Sequence, residues 1–258
     1  MKKTILLFCL LTLLIACAKE KQVNSLSVVA PENLLNYIKS QVSDVPDAII
    51  SISANTLNNV LPTPQVRLTA SLDSRLDNGA AIQEVSFANL KLPKVLDSLN
   101  NRFIFYTDAK DSNLFGQNAF VNFKTNFFDL KTDFNIPTLV KLQLSNEMLP
   151  KSKNYIIFWN KDDNNKLPIQ INLQYDEIAS THLNPKSNFP KEDIQISKFV
   201  QDDGKCTLST SELSKFPVGA VVRVSIMRGS YLSLKSNKKN VLIYSLSTDS
   251  FPILTVVE

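Results

Sequence analysis

The sequence predicts a mainly β protein that contains two β-sandwich-like domains and one short helix near its N-terminus. The first observation is that apolar and polar side chains alternate with a period of two, which is typical of strands with one buried and one solvated face. The second is that turn-forming Asn and Asp residues separate these runs at short intervals. The third is the apolar content, 44% of 258 residues with fifteen Phe, which suffices for a substantial core.

Residues 1–16 have the pattern of a signal peptide. Two lysines precede an apolar run at residues 5–15, which is long enough for a signal but too short for a membrane-spanning helix. The run ends in Leu-Ile-Ala-Cys at residues 14–17, and this tetrapeptide resembles the lipobox of bacterial lipoproteins. The resemblance implies cleavage after Ala16 and attachment of diacylglycerol and palmitate to Cys17. An ordinary secretory signal with a cysteine at its cleavage site is the alternative.

Residues 17–24 are predicted to form a lipidated tether. The segment Ala18-Lys19-Glu20-Lys21 lacks an Asp after the cysteine, and in this it resembles the outer-membrane rather than the inner-membrane sorting signal. The Lys-Glu pair is similar to the charged tether of surface lipoproteins of the Bacteroidetes type. The resemblance implies a protein of the cell envelope that is lipid-anchored in the outer membrane and either faces the periplasm or is exposed on the surface.

One helix is predicted at the start of the N-terminal domain, which spans residues 25–140. Pro31 suits the first turn of a helix, and the apolar residues after it are spaced to form one stripe. These residues are Leu34, Leu35, Ile38 and Val42. Strands are predicted at residues 65–72, 81–92 and 102–108, because apolar and polar side chains alternate there.

The apolar pattern of this domain changes phase once, at Phe127-Phe128. Val121, Phe123 and Phe127 occupy one parity, whereas Phe128, Leu130, Phe134 and Ile136 occupy the other. We therefore expect a bulge or a tight turn at this point, because otherwise half of these side chains would point into water.

The C-terminal domain, residues 141–258, contains seven or eight short strand-like runs separated by turns, as in an immunoglobulin-like β-sandwich. The runs are residues 142–144, 155–160, 169–175, 194–200, 205–208, 220–227, 241–246 and 253–257. Turns are expected at residues 162–165 and 202–204. Ser209 and Glu212 have the spacing of a helix capping box.

This domain also resembles the C-terminal domain of many Bacteroidetes-type outer-membrane lipoproteins of unknown function. The resemblance rests on Phe158-Trp159-Asn160-Lys161-Asp162-Asp163-Asn164-Asn165, followed by Pro168-Ile169-Gln170-Ile171, Asp202-Asp203-Gly204, residues 213–217 and residues 221–229. It covers roughly residues 141–258 and concerns turn and core positions. It therefore implies a fold and a cellular compartment, and it implies no catalytic residues.

The composition excludes several classes of partner and of stabilising bond. The formal net charge is +4, and removal of Lys2 and Lys3 with the signal would lower it to +2, so no nucleic-acid partner is expected. The chain has three cysteines. Cys9 belongs to the signal and Cys17 is predicted to carry lipid, which leaves Cys206 as a buried, inert thiol and no intrachain disulfide in the mature chain.

No set of residues with the spacing of a catalytic site is evident. His182 is the only histidine and is predicted to lie in a solvated loop, so a site with two imidazoles is excluded. The carboxylate pairs Asp108/Asp111, Asp162/Asp163 and Asp202/Asp203 fit turn positions better than a catalytic pair. Residues 162–165 could offer oxygen ligands to calcium but lack the spacing and the glycine of an EF-hand loop. We therefore expect neither enzymatic activity nor a metal or cofactor, with a hydrolase as a minor alternative.

Three residues are candidates for contact with a ligand or for modification. Trp159 would be a stacking platform for a sugar ring if exposed, although an indole on such a strand usually packs between the sheets. Tyr106, with Ile104, is expected to face outward from its strand, opposite Phe103 and Phe105. Asp97-Ser98-Leu99 resembles the O-glycosylation acceptor pattern of Bacteroidetes secreted proteins, with Ser98 as the acceptor.

These observations favour a non-enzymatic lipoprotein that presents β-sandwich domains to a protein or glycan partner and contacts membrane lipid through Cys17. One alternative is a glycan-binding component of an outer-membrane uptake system, for which exposed aromatic platforms are expected. Another is a fimbrial or adhesin subunit that completes its sheet with a strand from a partner, which would require an unpaired hydrophobic groove.

Overall fold

The computed structural model describes residues 33–57, 61–73, 76, 81–88, 90–98, 102–109 and 112–258. The predicted signal peptide and tether therefore lie outside the described residues. The helices are α1 (Leu34–Ser40), α2 (Glu177–Leu183) and α3 (Thr210–Leu213), with a 3-10 turn at Ser112–Leu114. The strands are β1 (Ala48–Leu57), β2 (Leu61–Leu72), β3 (Ile82–Phe87), β4 (Leu90–Lys91), β5 (Lys94–Asp97), β6 (Arg102–Ala109), β7 (Asn118–Thr125), β8 (Asp129–Asn135), β9 (Leu142–Leu144), β10 (Met148–Pro150), β11 (Tyr155–Trp159), β12 (Ile169–Asp176), β13 (Gln195–Val200), β14 (Lys205–Leu208), β15 (Val221–Ser236) and β16 (Lys239–Val257). The predicted mainly β, sandwich-like fold is confirmed.

The described strands form three sheets. The large sheet has the order β13-β12-β15-β16-β1-β2-β6-β5, and β10 also pairs with β16. A four-stranded sheet has the order β4-β3-β7-β8, and a three-stranded sheet has the order β14-β11-β9. The large sheet therefore contains strands from both of the predicted domains, because β1 pairs in parallel with β16.

Two hydrophobic cores lie between these sheets. The first joins β1, β2, β6 and the start of β16 to the four-stranded sheet. The second joins β12, the start of β15 and the end of β16 to the three-stranded sheet. The boundary predicted between residues 140 and 141 separates most of the two cores, but it does not separate the sheets, since β15 and β16 contribute to both.

The long hairpin of β15 and β16 shows why there are two cores on one sheet. Residues paired across neighbouring strands point to the same side of the sheet. Along one face the pairs are Val222/Leu254, Val224/Phe251, Ile226/Asp249, Arg228/Ser247, Ser230/Ser245, Leu232/Ile243 and Leu234/Val241. This face is apolar at both ends and polar in the middle, so it divides the apolar interior into two parts.

The turn of this hairpin is formed by Asn237 and Lys238, which have φ angles of 49° and 63°. Two consecutive residues with positive φ are the pattern of a type I′ turn, whose second position strongly favours glycine. A side chain in this conformation costs about 1 kcal/mol. Lys238→Gly is therefore expected to raise the midpoint of thermal unfolding by a few degrees, measured by circular dichroism.

Lys238→Ala is the matched control for this prediction, because it removes the same side chain but keeps a Cβ. It is expected to leave the unfolding midpoint near that of the natural protein. Equal effects of the two substitutions would contradict the turn assignment.

Helix α1 covers the opposite face of the large sheet. The Asn33 side chain accepts a hydrogen bond from the Asn36 backbone N–H at 2.9 Å, which caps the helix. Leu34 and Ile38 are fully buried against Leu242, which faces away from both cores because it alternates with Val241 and Ile243. The predicted helix is thus confirmed, although it begins at Leu34 and ends before Val42.

Most predicted strands are present, and three differences stand out. The runs predicted at residues 241–246 and 253–257 are one strand, β16, and the run predicted at residues 220–227 extends to Ser236. His182, predicted to lie in a loop, lies on helix α2, which spans residues 177–183. The Asp176 side chain accepts a hydrogen bond from the Ala179 N–H and begins this helix.

The phase change at Phe127-Phe128 is a tight turn between β7 and β8. The Thr125 N–H donates to the Phe128 carbonyl at 2.9 Å, and the Thr125 hydroxyl accepts from the N–H groups of Phe127 and Phe128. Phe128 is buried, whereas Phe127 is 38% exposed. The expectation of a turn is therefore confirmed, but Phe127 belongs to the surface and not to the core.

Candidate functional site

The polar middle of the β15–β16 hairpin is organised around Arg228, whose side chain is fully buried. We call the residues Arg228, Ser230, Ser245, Ser247 and Asp249 the polar seam. The Arg228 guanidinium donates to both carboxylate oxygens of Asp202, from Nε at 2.8 Å and from Nη2 at 2.9 Å. It also donates to the carbonyls of Thr138 and Asn160 and to the Thr138 hydroxyl. A buried charge is tolerated only when it is paired and hydrogen-bonded in this way.

Asp202 is the negative partner in this arrangement, and its side chain is only 4% exposed. Besides Arg228, it accepts a hydrogen bond from the Trp159 indole Nε1 at 2.8 Å and one from the Asn165 Nδ2 at 3.0 Å. Four donors thus fix one carboxylate, and they come from strands and loops that are distant in sequence.

The polar seam also binds the segment that links the two cores, residues 135–142. The Ser230 hydroxyl donates to the Asn135 carbonyl at 2.8 Å. Farther along, the backbone N–H groups of residues 140 and 142 donate to the Ser247 hydroxyl at 3.2 Å and to the Asp249 carboxylate at 2.7 Å. The linking segment is therefore held to the sheet by side chains at successive positions.

Asp162 holds the middle of this segment from the other side. Its carboxylate accepts the Thr138 N–H at 2.8 Å and the Asn164 N–H at 3.0 Å. Burial disfavours the charged form of Asp162, but these hydrogen bonds and the charge of Arg228 outweigh it and hold the pKa of the carboxyl below its usual value. The carboxylate of Asp162, one of the candidate calcium ligands considered above, is thus engaged by the protein itself.

A surface cleft of about 300 Å³ opens beside the polar seam, and we call it the seam cleft. Its walls come from β8 with the start of the linking segment, from the loop before β12, and from the middle of β15. The lining residues are Asp133, Phe134, Asn135, Pro137, Asn164, Asn165, Lys166, Leu167, Ser230, Tyr231 and Leu232. The cleft therefore combines an apolar set of side chains with amide, carboxylate and ammonium groups.

The predicted aromatic candidates occupy other places. Trp159 is 4% exposed and donates its indole N–H to Asp202, so it presents no ring face and the platform interpretation is wrong. Its neighbour Phe158 is 38% exposed, as is Ile156, and both project from the outer face of the three-stranded sheet. The alternation of residues 155–159 predicted one buried and one exposed face for this strand, and the large apolar indole favoured the buried face for Trp159.

Tyr106 lies on β6, on the outer face of the large sheet. Its hydroxyl donates to Asp108 at 2.5 Å, and the Arg67 guanidinium lies 5.3 Å from the ring centroid. The hydrogen bond to Asp108, with some burial, raises the pKa of Tyr106 above its ordinary value. Phe105 is buried as expected, but Phe103 is only half-buried and has the Lys94 ammonium 4.5 Å from its ring.

Of the predicted modification sites, Ser98 belongs to the described residues, whereas the lipidation site does not. Ser98 follows β5 and is exposed, as an acceptor for glycosylation must be. Ala16 and Cys17 lie outside the described residues. Cys206 is buried, and burial raises the pKa of its thiol above the usual value, which suits an unreactive cysteine.

The titratable residues considered for catalysis do not converge among the described residues. His182 is exposed on α2. Asp163 pairs with Lys161 at 2.6 Å, whereas Asp162 points to Thr138. Asp203 accepts from the Lys205 N–H, whereas Asp202 faces Arg228, and Asp111 lies outside the described residues. No group of three or more His, Cys, Asp or Glu that could hold a metal ion occurs in the described part of the chain.

The fold and the cleft define a mainly β, sandwich-like protein with a small mixed-polarity cleft at the junction of its two cores. No helix in the described ranges is long and apolar enough to cross a bilayer. No family model matches the sequence, and no curated protein matches it at a significant level.

Proposed function

We propose that the protein is a non-enzymatic lipoprotein of the cell envelope that binds a partner while anchored through lipid on Cys17. The observation that carries this proposal is the Leu-Ile-Ala-Cys sequence at residues 14–17, placed directly after a charged and apolar leader. One acyl chain gives marginal membrane binding, whereas a diacylglyceryl group with a further acyl chain gives stable anchoring. We propose that the lipid on Cys17 inserts into the outer membrane.

The position of the folded part supports this role. Residue 33, the first that the structure describes, caps α1, and fifteen residues separate it from Cys17. A chain of this length spans at most about 55 Å when fully extended. A lipid on Cys17 would therefore keep residue 33 within about 55 Å of the membrane.

Replacement of Cys17 tests the anchor. The natural chain is expected to incorporate radiolabelled palmitate and to fractionate with the outer membrane. The full chain with Cys17→Ser is expected to incorporate none. Cys206→Ser is the matched control, because Cys206 is buried and is expected to have no effect on labelling. Labelling that survives Cys17→Ser, or absence of label in the natural chain, would contradict the proposal.

A second candidate function is glycan binding, the role considered above for a component of an outer-membrane uptake system. The buried Trp159 argues against an aromatic platform of the predicted kind. The seam cleft is a different observation, and it favours a small polar ligand.

A further inference from the structure

The polar rim of the seam cleft is not used by the protein itself. Asp133, Asn135, Asn164 and Lys166 are exposed residues that line the cleft. None of these four side chains makes a hydrogen bond or an ion pair with another described residue. Their neighbour Asn165, by contrast, is fixed by Leu167 and Asp202. Four polar groups around one cleft thus remain available to a bound molecule.

We propose that the seam cleft binds a neutral saccharide unit. This inference deepens the proposed binding role and rests on it, and it assigns to that role a site and a class of ligand.

The chemistry of the rim distinguishes among ligand classes. Asn135 and Asn164 each offer both a donor and an acceptor, Lys166 offers donors and Asp133 offers acceptors. Sugar hydroxyls both donate and accept, so they can pair with all four groups. One carboxylate and one ammonium leave the rim without net charge, which disfavours a phosphate or a polycation because each would meet a like charge.

The apolar lining and the size of the cleft agree with this class. Phe134 points into the first core, away from the neighbouring side chains of Asp133 and Asn135. Leu167, Tyr231 and Leu232 are partly buried and line the cleft. The C–H faces of a sugar ring can pack on such residues while its hydroxyls reach the rim. A volume of about 300 Å³ lies at the small end of ligand sites, which suits one or two sugar units rather than an extended peptide.

The walls of the cleft are held in place by the polar seam. Ser230 binds the Asn135 carbonyl on one side, and Asn165 is bound to Asp202, which is itself held by Arg228. A site whose walls are fixed before binding loses less entropy when the ligand arrives. The cleft is therefore expected to bind without rearrangement of the sheets.

The test uses the purified full chain in detergent and a panel of free sugars as probes. The panel contains glucose, galactose, mannose, N-acetylglucosamine, maltose and cellobiose at millimolar concentrations, and binding is followed by saturation-transfer NMR. At least one sugar is expected to bind. The double variant Asn164→Ala/Lys166→Ala is expected to weaken that binding by about tenfold or more, since it removes at least one hydrogen bond that the ligand requires.

The control variant is Lys186→Ala/Asn188→Ala, which removes the same two residue types, with the same spacing, from an exposed loop elsewhere. It is expected to bind as the natural chain does. Absence of binding by every sugar of the panel, or equal affinity in the two double variants, would overturn the saccharide site. The lipid on Cys17 is measured by mass in the same preparation, so lipidated protein that binds no sugar refutes the site alone.

Discussion

Replacement of Arg228 by methionine is expected to lower the free energy of unfolding by about 3–5 kcal/mol, because it leaves a buried carboxylate without its counter-charge. Asp202 would keep its contacts with Trp159 and Asn165, but two neutral donors do not compensate a buried negative charge. The carbonyls of Thr138 and Asn160 would also lose their donor. Urea unfolding followed by far-UV circular dichroism measures the change.

Arg223 provides the matched control on the same strand. Its Nε and Nη2 donate to a single oxygen of Asp176, whereas Arg228 donates to both oxygens of Asp202. The Arg223 side chain is 62% exposed, whereas that of Arg228 is fully buried. Solvent screens an ion pair whose arginine is this exposed, and Asp176, whose side chain is 11% exposed, would keep the Ala179 N–H as a donor. Arg223→Met is therefore expected to cost clearly less stability than Arg228→Met. A second substitution, Asp202→Asn, is expected to restore part of the stability lost in Arg228→Met. Similar losses in the two arginine variants would contradict the structural role assigned to the polar seam.

Phe123→Ala is expected to lower the free energy of unfolding by about 3–5 kcal/mol, since it removes a large buried side chain and leaves a cavity. Phe123 is fully buried in the first core and packs edge-to-face on Phe128, with ring centroids 5.4 Å apart. Phe120 lies on the same strand but is 48% exposed. Phe120→Ala is therefore expected to change stability by well under 1 kcal/mol, and a comparable loss in both variants would show that the assigned facing of β7 is wrong.

Local patterns in the sequence predicted much of the secondary structure. Val66, Leu68, Ala70 and Leu72 are all buried, as the period of two indicates. The capping box of Ser209 and Glu212 is formed, with both reciprocal hydrogen bonds present. These features depend on residues within a few positions of one another, so the order of residues alone determines them.

The pairing of strands that are distant in the sequence could not be predicted from local patterns. The parallel pairing of β1 with β16 joins residues almost 200 positions apart, for example Ala48 and Val241, and no local pattern encodes it. The second half of β15, residues 228–236, was not predicted as a strand, because Arg228 and Ser230 are polar where the alternation requires apolar side chains. A buried arginine at such a position is expected only once Asp202 is known to lie beside it.

The seam cleft could not be predicted for a related reason. Its lining comes from three segments, at residues 133–137, 164–167 and 230–232, which the fold brings together. In the sequence, Asn164 and Lys166 belong to a polar turn, and Asp133 and Asn135 alternate with apolar residues on a strand. Each is an ordinary surface residue until the sheets place them around one opening.

A single sheet joins the two cores into one cooperative body, because β15 and β16 supply side chains to both. Trp159 is the only tryptophan and lies in the second core, whereas Phe123 lies in the first. The decisive measurement is urea unfolding of Phe123→Ala followed by Trp159 fluorescence. The midpoint reported by Trp159 is predicted to fall by as much as the midpoint reported by far-UV circular dichroism. A Trp159 midpoint that stays at the value of the natural protein would show that the two cores unfold independently and would contradict a single cooperative body.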